Sequence, residues 1–164
     1  MTVAETLLQD FDHEMKGTHR TLALIPDSPD FKPHHKSMKM GRLAAHVSTL
    51  PWLATLILTT DVLEAPNDLW PPNLDFVSTE KLLEEFDRLA TEARATLAAA
   101  TDAQLAGNWK MTWNGMVGIE GPRSTVYRTA FFNHLVHHRA QLGVYLRLNE
   151  VPVPGLYGPS ADGW

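Results

Sequence analysis

Apolar residues recur at helical spacing in four long stretches of the chain, separated by pieces rich in proline and glycine. The first stretch runs from about Val3 to Leu24, with Ala4, Leu7, Phe11, Met15, Thr18 and Leu22 near one face, and Pro26 and Pro29 end it. The second runs from about Ser37 to Asp61. There Leu43, His46, Leu50, Leu53 and Ile57 follow one another at steps of three or four, the pattern of a buried seam. Pro51 inside this stretch predicts a kink, because it removes one backbone hydrogen bond and crowds the preceding turn. The third opens at "STEKLLEEF", where Ser78 or Thr79 can cap the first turn and glutamates follow where the helix dipole favours them. Its stripe of Leu83, Phe86, Leu89 or Ala90, Ala93 and Leu97 carries it to about Ala100. The fourth begins near Pro122, a good first-turn residue, and continues to about Asn149, where "VPVPGLYGP" stops it.

Four such helices predict an all-α fold, a four-helix bundle whose connections are long enough for one to cross over its end. Between the third and fourth stretches, "NWKMTWNGMVGIEGP" alternates apolar and polar residues around Asn114-Gly115, a strong turn signal. It reads as a small β-hairpin or extended flap before the last helix. There is no internal repeat, and one domain over residues 1–164 is expected from a length that suits a single core.

Charge and composition narrow the partners. Lys+Arg 14 against Asp+Glu 19 gives a formal charge of -5, with no basic run to neutralise successive phosphates, which argues against nucleic acid. The most apolar run, "PWLATLIL", is far short of the roughly 20 residues a membrane span needs. The acid-interrupted N-terminus lacks the form of a secretory signal, so a cytoplasmic protein is expected. The chain has no cysteine, so any thiol chemistry needs a thiol supplied from outside.

Three of the eight histidines crowd into "NHLVHH", Asn133 to His138. On a helix, His134 and His138 lie about 40° apart, and the same face carries Tyr127, Phe131, Gln141, Leu142 and Tyr145. These two rings are expected to point into the bundle, with His137 at the edge of that face. His46 occupies the seam of the second helix between Leu43 and Leu50. Buried imidazoles without partners cost roughly 1–3 kcal/mol each, and a shared metal ion would satisfy all three. Histidines packed without an ion are the alternative. Three neutral imidazoles would leave coordination positions open for water or substrate, the pattern of a catalytic site, while ligand type alone leaves Zn, Ni, Fe and Cu open.

Competing motifs fail. "HEMKG" carries Gly17 where a zincin motif needs its second histidine, and no Glu-x-x-His of a di-iron bundle occurs. GxGxxG, Walker and GxSxG patterns are absent as well. His13, His19, His34 and His35 are expected on exposed helix or loop positions.

The segments "MGRLAAHVSTLPWL", "NHLVHHRAQLGVYLRL" and "NEVPVPGLYGPSADGW" together resemble the DinB/YfiT-like family, over nearly the whole chain. The resemblance implies a four-helix bundle in which a histidine of the second helix and an H-x-x-x-H pair of the last helix bind a divalent metal, often nickel or zinc. Those positions are His46, His134 and His138. Ala140 departs from the usual "HHRGQL", where a glycine is common.

Family relatives include S-transferases that use small thiols, which implies a metal-dependent enzyme activating a low-molecular-weight thiol for attack on an electrophile. A metal-dependent hydrolase and a non-catalytic, stress-associated metal-binding bundle are the alternatives. Gln141, one turn beyond the ligands, could orient a bound water or substrate, or satisfy buried backbone. Arg139 is a weak candidate for substrate contact. Trp109 and Trp113 could line the mouth of a pocket, or pack in the core. The apolar tail residues Val151, Val153, Leu156, Tyr157 and Trp164 suggest a homodimer, or a tail folded back on its own chain.

Overall fold

Thr2 starts the first helix because its hydroxyl accepts the Glu5 backbone N–H while the Glu5 carboxylate accepts the N–H of Thr2. In the computed structural model, which describes residues 1–27, 29–65 and 75–163, that helix is α1, Val3–Leu22. It is followed by α2 (Met40–Thr59), β1 (Val62–Ala65), α3 (Thr79–Ala98), α4 (Asp102–Ala106), β2 (Asn108–Trp113) and β3 (Met116–Pro122). Then come α5 (Arg123–Val126), a π-helical segment Tyr127–Phe132, and α6 (Asn133–Leu148). Ser78 rather than Thr79 caps α3, accepting the Lys81 N–H. Pro51 lies inside α2, and no described helix is long and apolar enough to cross a membrane.

The expected all-α fold needs correction. The fold is mostly helical but carries a three-stranded sheet in the order β1-β2-β3, rather than a small β-hairpin or flap. β2 and β3 pair antiparallel around Asn114 and Gly115, which take φ of 51° and 74°. β1 adds parallel to β2, with Val62 opposite Lys110, so α3 lies on the connection that parallel pairing requires. The short strand "VLEA" is too brief for periodicity to reveal, and its partner lies far along the chain.

The last helical stretch is also not one α-helix. Asn133 N–H bonds to the Arg128 carbonyl, five residues back, at the end of the π-helical segment. Ala130, Phe131 and Phe132 are all buried, although an α-helix spreads three consecutive residues over about 200° of its circumference. Beyond this segment the fully buried stripe is Leu135, Arg139, Leu142 and Leu146. His134 and His138 therefore lie on the flank of that stripe, half-buried, rather than at its centre.

The core gathers Leu7, Phe11 and Leu22 of α1, Leu50 and Ile57 of α2, Phe86 and Leu97 of α3, and the rings of Tyr127 and Phe131. Phe11 and Phe131 stack at 6.0 Å between centroids. Two arginines tie the elements together from inside. Arg123 donates to the carbonyls of Ile57 and Thr60 at the end of α2 and pairs with Asp61, placing a cation at the negative pole of that helix.

Arg139, 2% exposed, donates to the Glu14 carbonyl at 3.0 Å and the Thr18 hydroxyl at 3.1 Å, and pairs with the Glu14 carboxylate at 2.6 Å. The Tyr157 hydroxyl accepts from Arg139 and donates to Glu14, so the tail folds back on its own chain. Trp164 lies outside the described residues. Removing one partner of a buried pair strands the other charge. Arg139→Ala should lower unfolding stability by about 3 kcal/mol, the low end for such pairs because Glu14 keeps some contact with water. Urea denaturation at constant slope measures this, and a loss below about 1 kcal/mol would contradict the assigned role.

Candidate metal centre

The seam spacing of α2 and the H-x-x-x-H spacing of α6 become one site because these two helices pack against each other. His46, His134 and His138 each offer a ring nitrogen, and the three nitrogens lie within 4.8 Å of one another. The Nε2 atoms of His46 and His134 are 3.2 Å apart. Two nitrogens each 2.0–2.1 Å from one tetrahedral ion would lie about 3.3 Å apart, so this pair already stands near ligand spacing. Ring centroids of His138 lie 4.7 Å from those of both His46 and His134.

Outer partners set the orientation of the two α6 rings. His138 Nδ1 is 2.8 Å from the Gln141 side-chain oxygen, so Nδ1–H donates there and Nε2 is left without its proton. The Ala130 backbone carbonyl one turn earlier favours a proton on His134. A ligating imidazole that donates its second nitrogen to a carbonyl or amide oxygen is the usual way a metal ligand is held in one tautomer. Gln141 in turn reaches His137, with Nε2 of the amide 3.1 Å from Nε2 of that ring. His137 thus holds the far end of the chain His138–Gln141–His137. Helical periodicity puts His137 only at the edge of the face, and its spacing of four from Gln141 is the signal in the sequence for this contact.

The electrostatics favour neutral rings. Burial, reinforced by His134, His138 and Arg42, holds the pKa of His46 down at about 3. Burial and the charge of His138 lower His134 to about 4, against a raising contribution from its bond to Ala130. His138 is lowered too, chiefly by burial. Neutral imidazole is the form that binds a metal, so the three rings are in the ligating state without having to lose a proton. The donor set therefore fits a divalent ion.

The other singled-out residues are placed elsewhere. Arg139 is committed to Glu14, Thr18 and Tyr157. Trp109 is wholly buried, donating to the Thr60 hydroxyl at 3.1 Å, and Trp113 is 38% exposed and lies across Gly118. His13, His34 and His35 are exposed, and His19 is half-buried beside Asp87. A groove of about 690 Å³ lies between α1 and the π-helical segment, lined by Asp10, Glu14, Arg128 and Asn133, and holds none of the three clustered histidines.

Comparison with known proteins bears on the whole chain. The pattern of the DinB family matches residues 1–164. A crystal structure of a DinB-like protein from Bacillus cereus ATCC 10987 is similar with a TM-score of 0.70 and 23% identity, covering 93% of this chain and 97% of that one. A DinB-like protein from Bacillus subtilis gives 0.68 and 19% identity, covering 93% and 99%. At these identities the likeness concerns the fold. No curated protein matches the chain.

The depressed imidazole pKa values carry a stability prediction for metal-free protein. Below about pH 6.5 the unfolded chain takes up protons that folded His46 and His134 refuse, so stability falls as pH drops from about 6.5 toward about 4. Each ring contributes less than about 1.4 kcal/mol per pH unit, since water still reaches the site. Urea midpoints at about pH 7 and about pH 5 should differ clearly in wild type and less in a His46→Gln/His134→Gln variant. Equal pH sensitivity in the two proteins would refute the assignment.

Proposed function

The chain belongs to the DinB family, and from that membership together with its converging imidazoles we propose a metal-dependent enzyme in which His46, His134 and His138 hold one divalent ion. The observation that carries the reading is the approach of three neutral ring nitrogens within 4.8 Å, two of them backed by outer hydrogen bonds. Nickel or zinc is the ion proposed, and imidazole donors suit both. We further propose that the chain is one domain built as a four-helix bundle. Support comes from α1 packing on α3 and α6 while α2 packs on the same two helices. A homodimer belongs to the proposal as well, although the tail that suggested it packs on its own chain.

The ion, when bound, would act as a Lewis acid that lowers the pKa of a thiol or water. The residues of the chain do the rest. His46 from α2 and the α6 pair bind from two sides, and Gln141 keeps the proton of His138 on Nδ1, away from the ion. Three protein ligands leave room for an exogenous group. A chain without cysteine has no thiolate of its own, so the reaction proposed is S-transfer from a low-molecular-weight thiol to an electrophile. Hydrolysis by the same site is the second reading. A stress-associated bundle with a purely structural ion is less favoured, because His46, His134 and His138 are the one candidate metal-binding group among the described residues and include no fourth protein donor.

Wild-type protein purified without a nickel column should contain, or take up, about one equivalent of a single divalent metal. His46→Ala and His138→Ala should each abolish stoichiometric binding while leaving helical circular dichroism largely intact. Unchanged metal content in both variants would sink the assignment. Gln141→Leu, which removes the acceptor for His138, should weaken metal affinity by about 10- to 100-fold, whereas Gln141→Glu should retain it. Competition with a chelator reads both, and an undiminished affinity in Gln141→Leu would remove the orienting role.

A further inference from the structure

Arg42 sits one turn before His46 on the same face of α2 and is partly buried. Six of the other arginines pair with carboxylates: Arg88, Arg94, Arg123, Arg128, Arg139 and Arg147. Arg20 reaches the Gly155 carbonyl at 3.4 Å. Among the described residues Arg42 has no hydrogen-bond or ion-pair partner. The neighbouring Lys39 is already neutralised by Asp30 at 2.6 Å, and the first turn of α2 contains no acid.

The surroundings make this guanidinium unusual. Three neutral imidazoles leave the double charge of a bound ion uncompensated, and Arg42 adds a third positive charge close enough to depress His46. The group formed by His46, His134 and His138 includes no carboxylate. Five planar N–H donors without a partner among the described residues, one helical turn from His46, match an oxyanion in shape and charge.

Resting on the metal-site reading above, we propose that Arg42 is a substrate-binding residue: the molecule that enters the metal centre carries a carboxylate or similar oxyanion, which Arg42 holds while another of its atoms reaches the ion. The substrate class is therefore an anionic small molecule, and for the S-transfer reading a thiol bearing an acid group. Arg42 and one of the three proposed ligands, His46, stand on successive turns of α2, about 5.4 Å apart along its axis.

The test uses zinc-loaded protein and two thiols of equal length, mercaptopropionate and mercaptopropanol, which differ only in the carboxylate. Isothermal titration calorimetry on wild type should show the acid binding at least about ten-fold more tightly. In Arg42→Gln the preference should vanish, with the neutral thiol bound as in wild type. Equal affinities in wild type, a preference that survives in Arg42→Gln, or binding of neither thiol would overturn the inference. Zinc content is measured on the same samples. Wild type without zinc would remove the metal-site reading and the inference with it, whereas zinc without acid preference would remove Arg42 alone.

Discussion

The ring nitrogens of His46 and His134 meet at 3.2 Å because α2 and α6 lie side by side, in a place where neither ring keeps its full water shell. Every chemical property of the site depends on that contact. Shared burial and mutual repulsion keep the imidazoles neutral, and neutral imidazoles are ligands. A small slide of one helix past the other would separate the pair and leave two half-buried rings with no common partner. The scaffold therefore has to hold the two helices in register to a fraction of an ångström.

Several features serve that end. Arg123 fastens the start of α5 to the C-terminal carbonyls of α2, and Arg139 fastens α6 to α1 through Glu14 and Thr18. Between these anchors the π-helical segment adds an extra residue to one turn just before His134. That insertion shifts the buried stripe onto Leu135, Arg139, Leu142 and Leu146, which leaves His134 and His138 on the flank that meets α2. π-helical turns are costly and tend to mark functional positions, and here the turn sits directly against the first histidine of the pair. The tail completes the clamp by placing Tyr157 over the Arg139–Glu14 pair.

The charge distribution repeats one theme. Acids and bases neutralise each other along the outer faces of α1 and α3, as with Arg94 and Asp12 or Arg88 and Glu85. Around the histidines the pairing stops. Among the described residues Gln141 bonds His138 and reaches His137, and neither of these partners carries a negative charge.

The sequence by itself determined the first three long helices and the three ligand candidates. The stripe Ala4, Leu7, Phe11, Met15, Thr18 and Leu22 is buried as its spacing required, and His46, His134 and His138 converge. These are local properties: a period of 3.6 residues places side chains on a face whatever that face later meets. Family resemblance added the pairing of His46 with the α6 histidines, which periodicity could not supply. What the tertiary structure decided was non-local. β1 exists only because β2 lies beside it, Arg139 is buried only because α1 offers a carboxylate and a carbonyl, and Trp109 is core because Thr60 accepts its N–H. The π-helical turn and the chain from His138 through Gln141 to His137 likewise follow from how α6 is pressed against its neighbours. Spacing along one helix fixes direction, but only packing between helices decides which directions meet.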